Sequence, residues 1–152
     1  MKILIELPSW LGDTVMATPA IENLIKFHNK SEFSIIGPKN SIEIFKHHPK
    51  IYKSYKVDKR YFSLFLMTRK IGKFDLFFSF RSSTRSKILK FFVNSPFKYG
   101  YKKESINKFH QVEKYNQFIN KSLNLAIPAG SLTIHKDSQL DSVLHTSTRN
   151  KP

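Results

Sequence analysis

The 152-residue sequence contains no cysteine, which excludes both a disulfide framework and a thiolate metal site. Acidic residues are scarce, with 11 Asp and Glu against 26 Lys and Arg, a formal net charge of +15. No apolar run approaches the roughly 18 residues that a membrane-spanning helix needs. The start, Met1-Lys2-Ile3-Leu4-Ile5-Glu6-Leu7-Pro8, brings a charge and a proline too early for the apolar core of a signal peptide. A soluble cytoplasmic protein is therefore expected. Tryptophan occurs once, at Trp10. What is present is enough for one ordinary domain, because a chain of this length can bury about two thirds of its unfolded surface. The basic excess suits nucleic acid, an anionic membrane surface or a phosphorylated, carboxylate-rich ligand, and equally a lysine-rich solvated surface. Charge alone does not choose among these.

The most informative stretch is Pro8-Ser9-Trp10-Leu11-Gly12-Asp13-Thr14-Val15-Met16-Ala17-Thr18-Pro19-Ala20, which follows the apolar run Ile3-Leu4-Ile5. An aliphatic run, then Pro, Ser and Gly, then a helical pattern reads as strand, tight loop and helix, the first half of a βαβ unit. In open α/β sheets ligands bind outside the carboxyl ends of the strands, where helix N-termini direct backbone N–H groups. Asp13 is the sole carboxylate of this loop and suits two roles, helix N-cap or catalytic base. Trp10 is a large aromatic in a loop, which favours contact with a ligand or a second domain. Pro19 should bend a helix begun at Asp13. Alternatively the helix begins at Pro19 with Thr18 as its cap.

Downstream the pattern alternates. The first helix runs to about His28 with Ala17, Ala20, Ile21, Leu24 and Ile25 on its buried side, followed by a strand at Phe33–Gly37. Asn40 and Ser41 offer caps for a helix through Phe45. A half-exposed strand over Ile51–Val57, an apolar helix over Tyr61–Ile71 ended by Gly72, and a buried strand over Asp75–Phe80 come next. The loop Arg81-Ser82-Ser83-Thr84-Arg85-Ser86-Lys87 leaves a strand end and enters a helix over Ser86–Val93. Its two guanidiniums and hydroxyls suit carboxylate or phosphate, or else simply cap a charged helix. A fifth strand at Phe97–Tyr101 precedes a helix from Lys108 to Leu123, with Val112, Tyr115, Phe118, Ile119 and Leu123 on one stripe. Strands separated by helices imply a doubly wound parallel sheet with right-handed crossovers. His and carboxylate residues show no metal-ligand spacing, so no metal is expected. From Ala129 onward there is no Phe, Tyr or Trp, and such a segment is expected to be mostly disordered.

The stretch from Lys2 to Ile21, with its Pro-Ser-Trp-Leu-Gly-Asp core, resembles the amino terminus of the ADP-heptose:lipopolysaccharide heptosyltransferases of glycosyltransferase family 9, in the heptosyltransferase II-like form. Phe80 to Ser86 resembles that family's arginine-serine segment, and His110 to Tyr115 matches its His and Tyr spacing. The resemblance implies a Rossmann-like domain, residues 1–128, forming the acceptor-binding, amino-terminal half of a two-domain GT-B enzyme. It implies Asp13 as general base, and Ser9, Trp10, Gly12, Arg81, Ser82, Arg85 and His110 as acceptor contacts. The donor substrate would be ADP-heptose, with no cofactor and no nucleic acid partner. The implied partners are the lipopolysaccharide inner-core acceptor, the anionic inner membrane as a peripheral contact, and a separate donor-domain fragment. Nothing from Gly130 to Pro152 resembles a glycine-rich pyrophosphate-binding segment. The donor domain is therefore expected to be absent and the tail 129–152 aberrant or disordered, leaving a truncated acceptor-binding half that is inactive alone. Two further readings stand beside this one: a non-catalytic acceptor-domain remnant or half of a split enzyme, and a basic nucleic-acid-binding domain.

Overall fold

A computed structural model describes residues 1–103 and 108–135. Five parallel strands are present: β1 (Lys2–Glu6), β2 (Glu32–Gly37), β3 (Ile51–Lys56), β4 (Leu76–Ser79) and β5 (Phe97–Gly100). They stand in the order β3-β2-β1-β4-β5, so the sheet grows outward in both directions from β1 and β4. The register sets Ile3 beside Phe33 and Leu76, and Glu6 beside Ile36 and Ser79. The helices are α1 (Leu11–Phe27), α2 (Lys39–Ile44), α3 (Tyr61–Ile71), α4 (Thr84–Phe92) and α5 (Gln111–Leu123).

Strand alternation divides the core into two layers. Ile3, Ile5 and Leu7 project toward α1, α2 and α5, where they pack with Ile21, Leu24, Phe33, Phe78, Phe80 and Ile119. Leu4 projects to the opposite face with Ile36 and Phe77, against Leu64 of α3 and Leu89 of α4. Helices on both faces of a parallel sheet are the doubly wound arrangement expected from the sequence. A crevice opens where β1 and β4, neighbours in the sheet, send α1 and α4 to opposite sides.

Local chemistry departs from the sequence reading at three helix starts. Helix α1 begins at Leu11, with Trp10 in the capping position and no side-chain cap hydrogen bond, so Asp13 does not stand at the cap. Asp13 is therefore a first-turn residue, where the positive end of the helix dipole favours a carboxylate. Thr18 is not a cap, because α1 runs unbroken through Pro19. Proline lacks the N–H that would bond Val15, and the Thr18 hydroxyl donates to that carbonyl instead, at 2.7 Å. Asn40 and Ser41 lie inside α2, which follows Pro38. The Ser41 hydroxyl accepts from the Thr14 hydroxyl at 2.9 Å and donates to the Pro8 carbonyl at 2.8 Å, tying the β1–α1 loop to α2. Helix α4 starts at Thr84 rather than Ser86, because Ser83 caps it by accepting from the Ser86 N–H.

Helix α5 is joined to α1 through the Asn23 side-chain amide, which donates to Asn116 at 2.9 Å and to the Pro128 carbonyl at 3.0 Å. Beyond α5 the chain runs without helix or strand to His135. The Thr133 N–H donates to the Thr18 hydroxyl at 3.1 Å, and His135 reaches Glu22 at 3.0 Å. These contacts lie within the stretch for which disorder is expected, and residues 136–152 of that stretch lie outside the described residues.

Candidate functional site

The crevice at the switch point has a volume of about 310 Å³. One wall is the β1–α1 loop with Pro8, Ser9, Trp10 and Asp13, and the other is the end of β4 with Phe80, Arg81, Ser82 and Ser83. Tyr101, Gln111 and Tyr115 close the third side. Trp10 stands 76% exposed on the rim. Asp13 is half-buried.

Each wall is fixed from behind. Arg81 is turned inward by Glu6, whose carboxylate lies 3.6 Å from the guanidinium, and the arginine side chain is only 14% exposed. Glu6 is itself buried within β1 and accepts from the Ser79 and Ser86 hydroxyls. Burial pushes the Glu6 carboxyl above its ordinary value of 4.5, with the two serine hydrogen bonds and the arginine charges working against that rise. The Arg81 Nε atom is buried and has no hydrogen-bond partner among the described residues. An orphan donor of this kind is costly unless a ligand or water fills the place. On the third side, the Tyr115 ring packs against Tyr101 at 5.0 Å and Phe80 at 5.5 Å. Burial, reinforced by the Asp13 charge, pushes the Tyr115 phenol upward, so it remains a donor at neutral pH. The crevice thus offers a proton acceptor in Asp13, a fixed cation in Arg81, a phenolic donor in Tyr115 and an aromatic face in Trp10.

Of the residues singled out from the sequence, Ser9, Trp10, Asp13, Arg81 and Ser82 converge on this crevice. Gly12 is exposed beside it, and a Cβ built there meets nothing within 4 Å. Arg85 is directed elsewhere: its guanidinium donates to the Lys59 carbonyl and lies 5.6 Å from the Tyr61 ring centroid. His110 is exposed and caps α5 by accepting from the Val112 N–H, while its neighbour Gln111 reaches the crevice. Sequence reasoning passed over Glu6, although a carboxylate inside the apolar run Ile3–Leu7 was the available signal. It took Tyr115 as part of an apolar stripe and of the His110–Tyr115 spacing, without giving it a role in the crevice.

The fold also assembles a group that sequence spacing conceals. Glu22, His48 and His135 bring three ligand-type atoms within 4.8 Å of one another. His48 Nδ1 accepts from the Lys50 N–H at 3.1 Å, so its proton sits on Nε2 and is donated to Glu22 at 2.9 Å. A histidine that binds metal through Nε2 carries its proton on Nδ1 and donates it outward, the reverse of this arrangement. The hydrogen bonds from His48 and His135 hold the Glu22 carboxyl down at about 2.

Fold and crevice define a Rossmann-like α/β domain of the kind found in GT-B glycosyltransferases. No protein-family model matches the chain. It superposes on a glycosyl transferase family 9 protein from Veillonella parvula with a TM-score of 0.78 at 17% identity, over 99% of this chain and 50% of that one. The E. coli ADP-heptose lps heptosyltransferase II gives a TM-score of 0.72 at 16% identity, over 97% and 50%. In sequence, the chain is 39% identical over 127 residues to lipooligosaccharide heptosyltransferase 2 of Campylobacter jejuni, covering 82% of this chain and 40% of the relative. The Haemophilus ducreyi lipooligosaccharide heptosyltransferase 2 is 31% identical over 111 residues, covering 69% and 32%. Over the part of their length that it spans, the chain is similar to the heptosyltransferases of glycosyltransferase family 9. It spans about 40% of the length of the curated Campylobacter jejuni relative.

Proposed function

We propose that this chain is the acceptor-binding part of a heptosyltransferase acting in lipopolysaccharide core assembly. The observation that carries the reading is the convergence of Asp13 and Arg81, from two different strand ends, on one crevice at the switch point. A phosphorylated inner-core saccharide suits it, with its anionic groups on Arg81 and a sugar face on Trp10. Asp13 takes the proton from the acceptor hydroxyl as that oxygen attacks the anomeric carbon of ADP-heptose. The bond from that carbon to the ADP oxygen breaks, and ADP leaves from the opposite face. The ADP-heptose site belongs to a part of the enzyme other than the crevice. No cofactor and no metal enter the step.

Glu6 acts in this scheme as a positioning residue, since it fixes the guanidinium rather than the sugar. An acceptor attached to lipid brings the domain to an anionic membrane surface, and the net charge of +15 suits that contact.

Heptose transfer from ADP-heptose to an inner-core acceptor tests the reading, with this chain assayed alone and together with a polypeptide carrying the donor-binding half. Transfer in the mixture should fall by about 10²–10⁴-fold on Asp13→Ala, the usual range for a lost general base. Full transfer by the Asp13→Ala variant would remove Asp13 from the chemistry. Acceptor binding without transfer in either assay would leave a non-catalytic binding domain.

A further inference from the structure

Helix α3 has two apolar faces, one buried against the sheet and one exposed. Leu64 and Thr68 are buried against the sheet, whereas Phe62 is 72% exposed and Leu66, one turn on, is 51% exposed. The same stripe continues into Arg69 and Lys70, since positions four and seven or eight apart share a helix face. The apolar surface extends across to α4. Phe65 contacts Phe92 at 5.1 Å, Phe92 contacts Phe91 at 5.5 Å, and Phe91 is 79% exposed. Lys87 lies one turn before Phe91, and the Lys98 ammonium donates to the Phe91 carbonyl at 3.3 Å. From α3 to β5, residues 61–100 carry eight Lys and Arg against one acidic residue, Asp75. Asp75 is itself engaged, accepting from the Lys2 N–H at 2.6 Å.

Exposed phenylalanines and leucine without polar handles, ringed by one sign of charge, call for a partner that is apolar below an anionic surface. We propose that the outer face of α3 and α4, centred on Phe62, Leu66 and Phe91 and flanked by Lys70 and Lys87, docks on an anionic lipid bilayer. The aromatic and leucine side chains enter the boundary between headgroups and acyl chains, and the lysines and arginines meet the lipid phosphates. A nucleic acid fits the charge but not the apolar content, since Leu66 offers nothing to stack on a base. The inference rests on the membrane contact proposed above and does not depend on heptose transfer.

Cosedimentation of the full chain with vesicles decides it, using phosphatidylglycerol-containing and pure phosphatidylcholine vesicles. Binding to the anionic vesicles is expected, with neutral vesicles binding at least tenfold more weakly. The double variant Phe62→Ser/Phe91→Ser should lose about tenfold or more in partitioning, and Lys70→Glu/Lys87→Glu a similar factor. All four positions are exposed, and unchanged circular dichroism confirms that the variants still fold. Anionic binding that survives both double variants overturns the surface assignment and leaves the membrane contact standing. No binding to anionic vesicles at low salt overturns both. Binding that duplex DNA competes away and that Phe62→Ser/Phe91→Ser leaves intact also overturns the proposal, in favour of a general polyanion surface.

Discussion

The two layers on either side of the sheet are built to different standards. Toward α1, α2 and α5 the core is continuous, with Ala17, Ala20, Ile21, Leu24 and Ile119 fully buried. Polar clasps close it: Asn23 to Asn116, Thr14 to Ser41, and Glu22 to His48 and His135. Toward α3 and α4 the core is smaller, anchored on Leu64, Phe77, Leu89 and Val93, and its outer side carries Phe62 and Phe91 into solvent. The first layer spends its apolar residues on the fold, and the second leaves part of them available to something else. The crevice lies between the layers, with Asp13 from one and Arg81 from the strand end leading into the other.

The largest effect should separate two leucines. Leu24→Ala in α1 should cost about 3 kcal/mol in urea unfolding, the usual cost of a fully buried leucine. Leu66→Ala in α3 should stay within about 0.5 kcal/mol. Equal losses would contradict the contrast between the layers.

An intermediate effect concerns the Glu22 clasp. Its carboxyl, held at about 2 against an ordinary 4.5, stabilises the fold fully above pH 4.5 and loses that contribution as pH falls toward 2. Glu22→Gln should therefore cost about 1–2 kcal/mol near neutral pH, with the gap to wild type closing between pH 4.5 and 2 in thermal melts. A gap that does not change over that range would mean the carboxylate charge is not what holds the segment.

The smallest effect has the opposite sign. The Glu6 carboxyl is raised by burial, so its ionisation costs stability as pH climbs above 4.5. The stability of Glu6→Gln relative to wild type should improve from pH 4 to pH 7. A relative loss over the same range would mean that the attraction of Arg81 outweighs burial.

Much of this architecture is legible in the sequence, because β1, β2 and β4 are apolar runs, β3 alternates apolar residues with Lys and Ser, and each helix keeps its buried stripe. The Asp75–Phe80 run reads as a fully buried strand and occupies the second place in the sheet centre, as β4. Helix starts are less legible. Asp13, Asn40 and Ser41 all have capping chemistry, but Trp10 and Pro38 take the capping positions, and the Ser41 hydroxyl holds the Pro8 carbonyl instead. Side-chain destinations are the least legible. Arg81 and Arg85 look equivalent in the loop, yet only Arg81 finds a buried carboxylate at the strand end, while Arg85, in the first turn of α4, reaches the Lys59 carbonyl. The meeting of His48 and His135 on Glu22 depends on tertiary packing between residues far apart in the chain, so local spacing could not disclose it.

The single tryptophan stands on the rim of the crevice, so its emission reports directly on occupation of that site. Titrating the chain with a phosphorylated, heptosylated inner-core oligosaccharide should give a saturable change in Trp10 fluorescence. Arg81→Ala should weaken that binding by about tenfold or more, the loss expected for a charge-assisted pair, while Asp13→Asn should retain it. No change in emission up to millimolar oligosaccharide, or a change that Arg81→Ala leaves untouched, would contradict the assignment of the switch-point crevice to the acceptor.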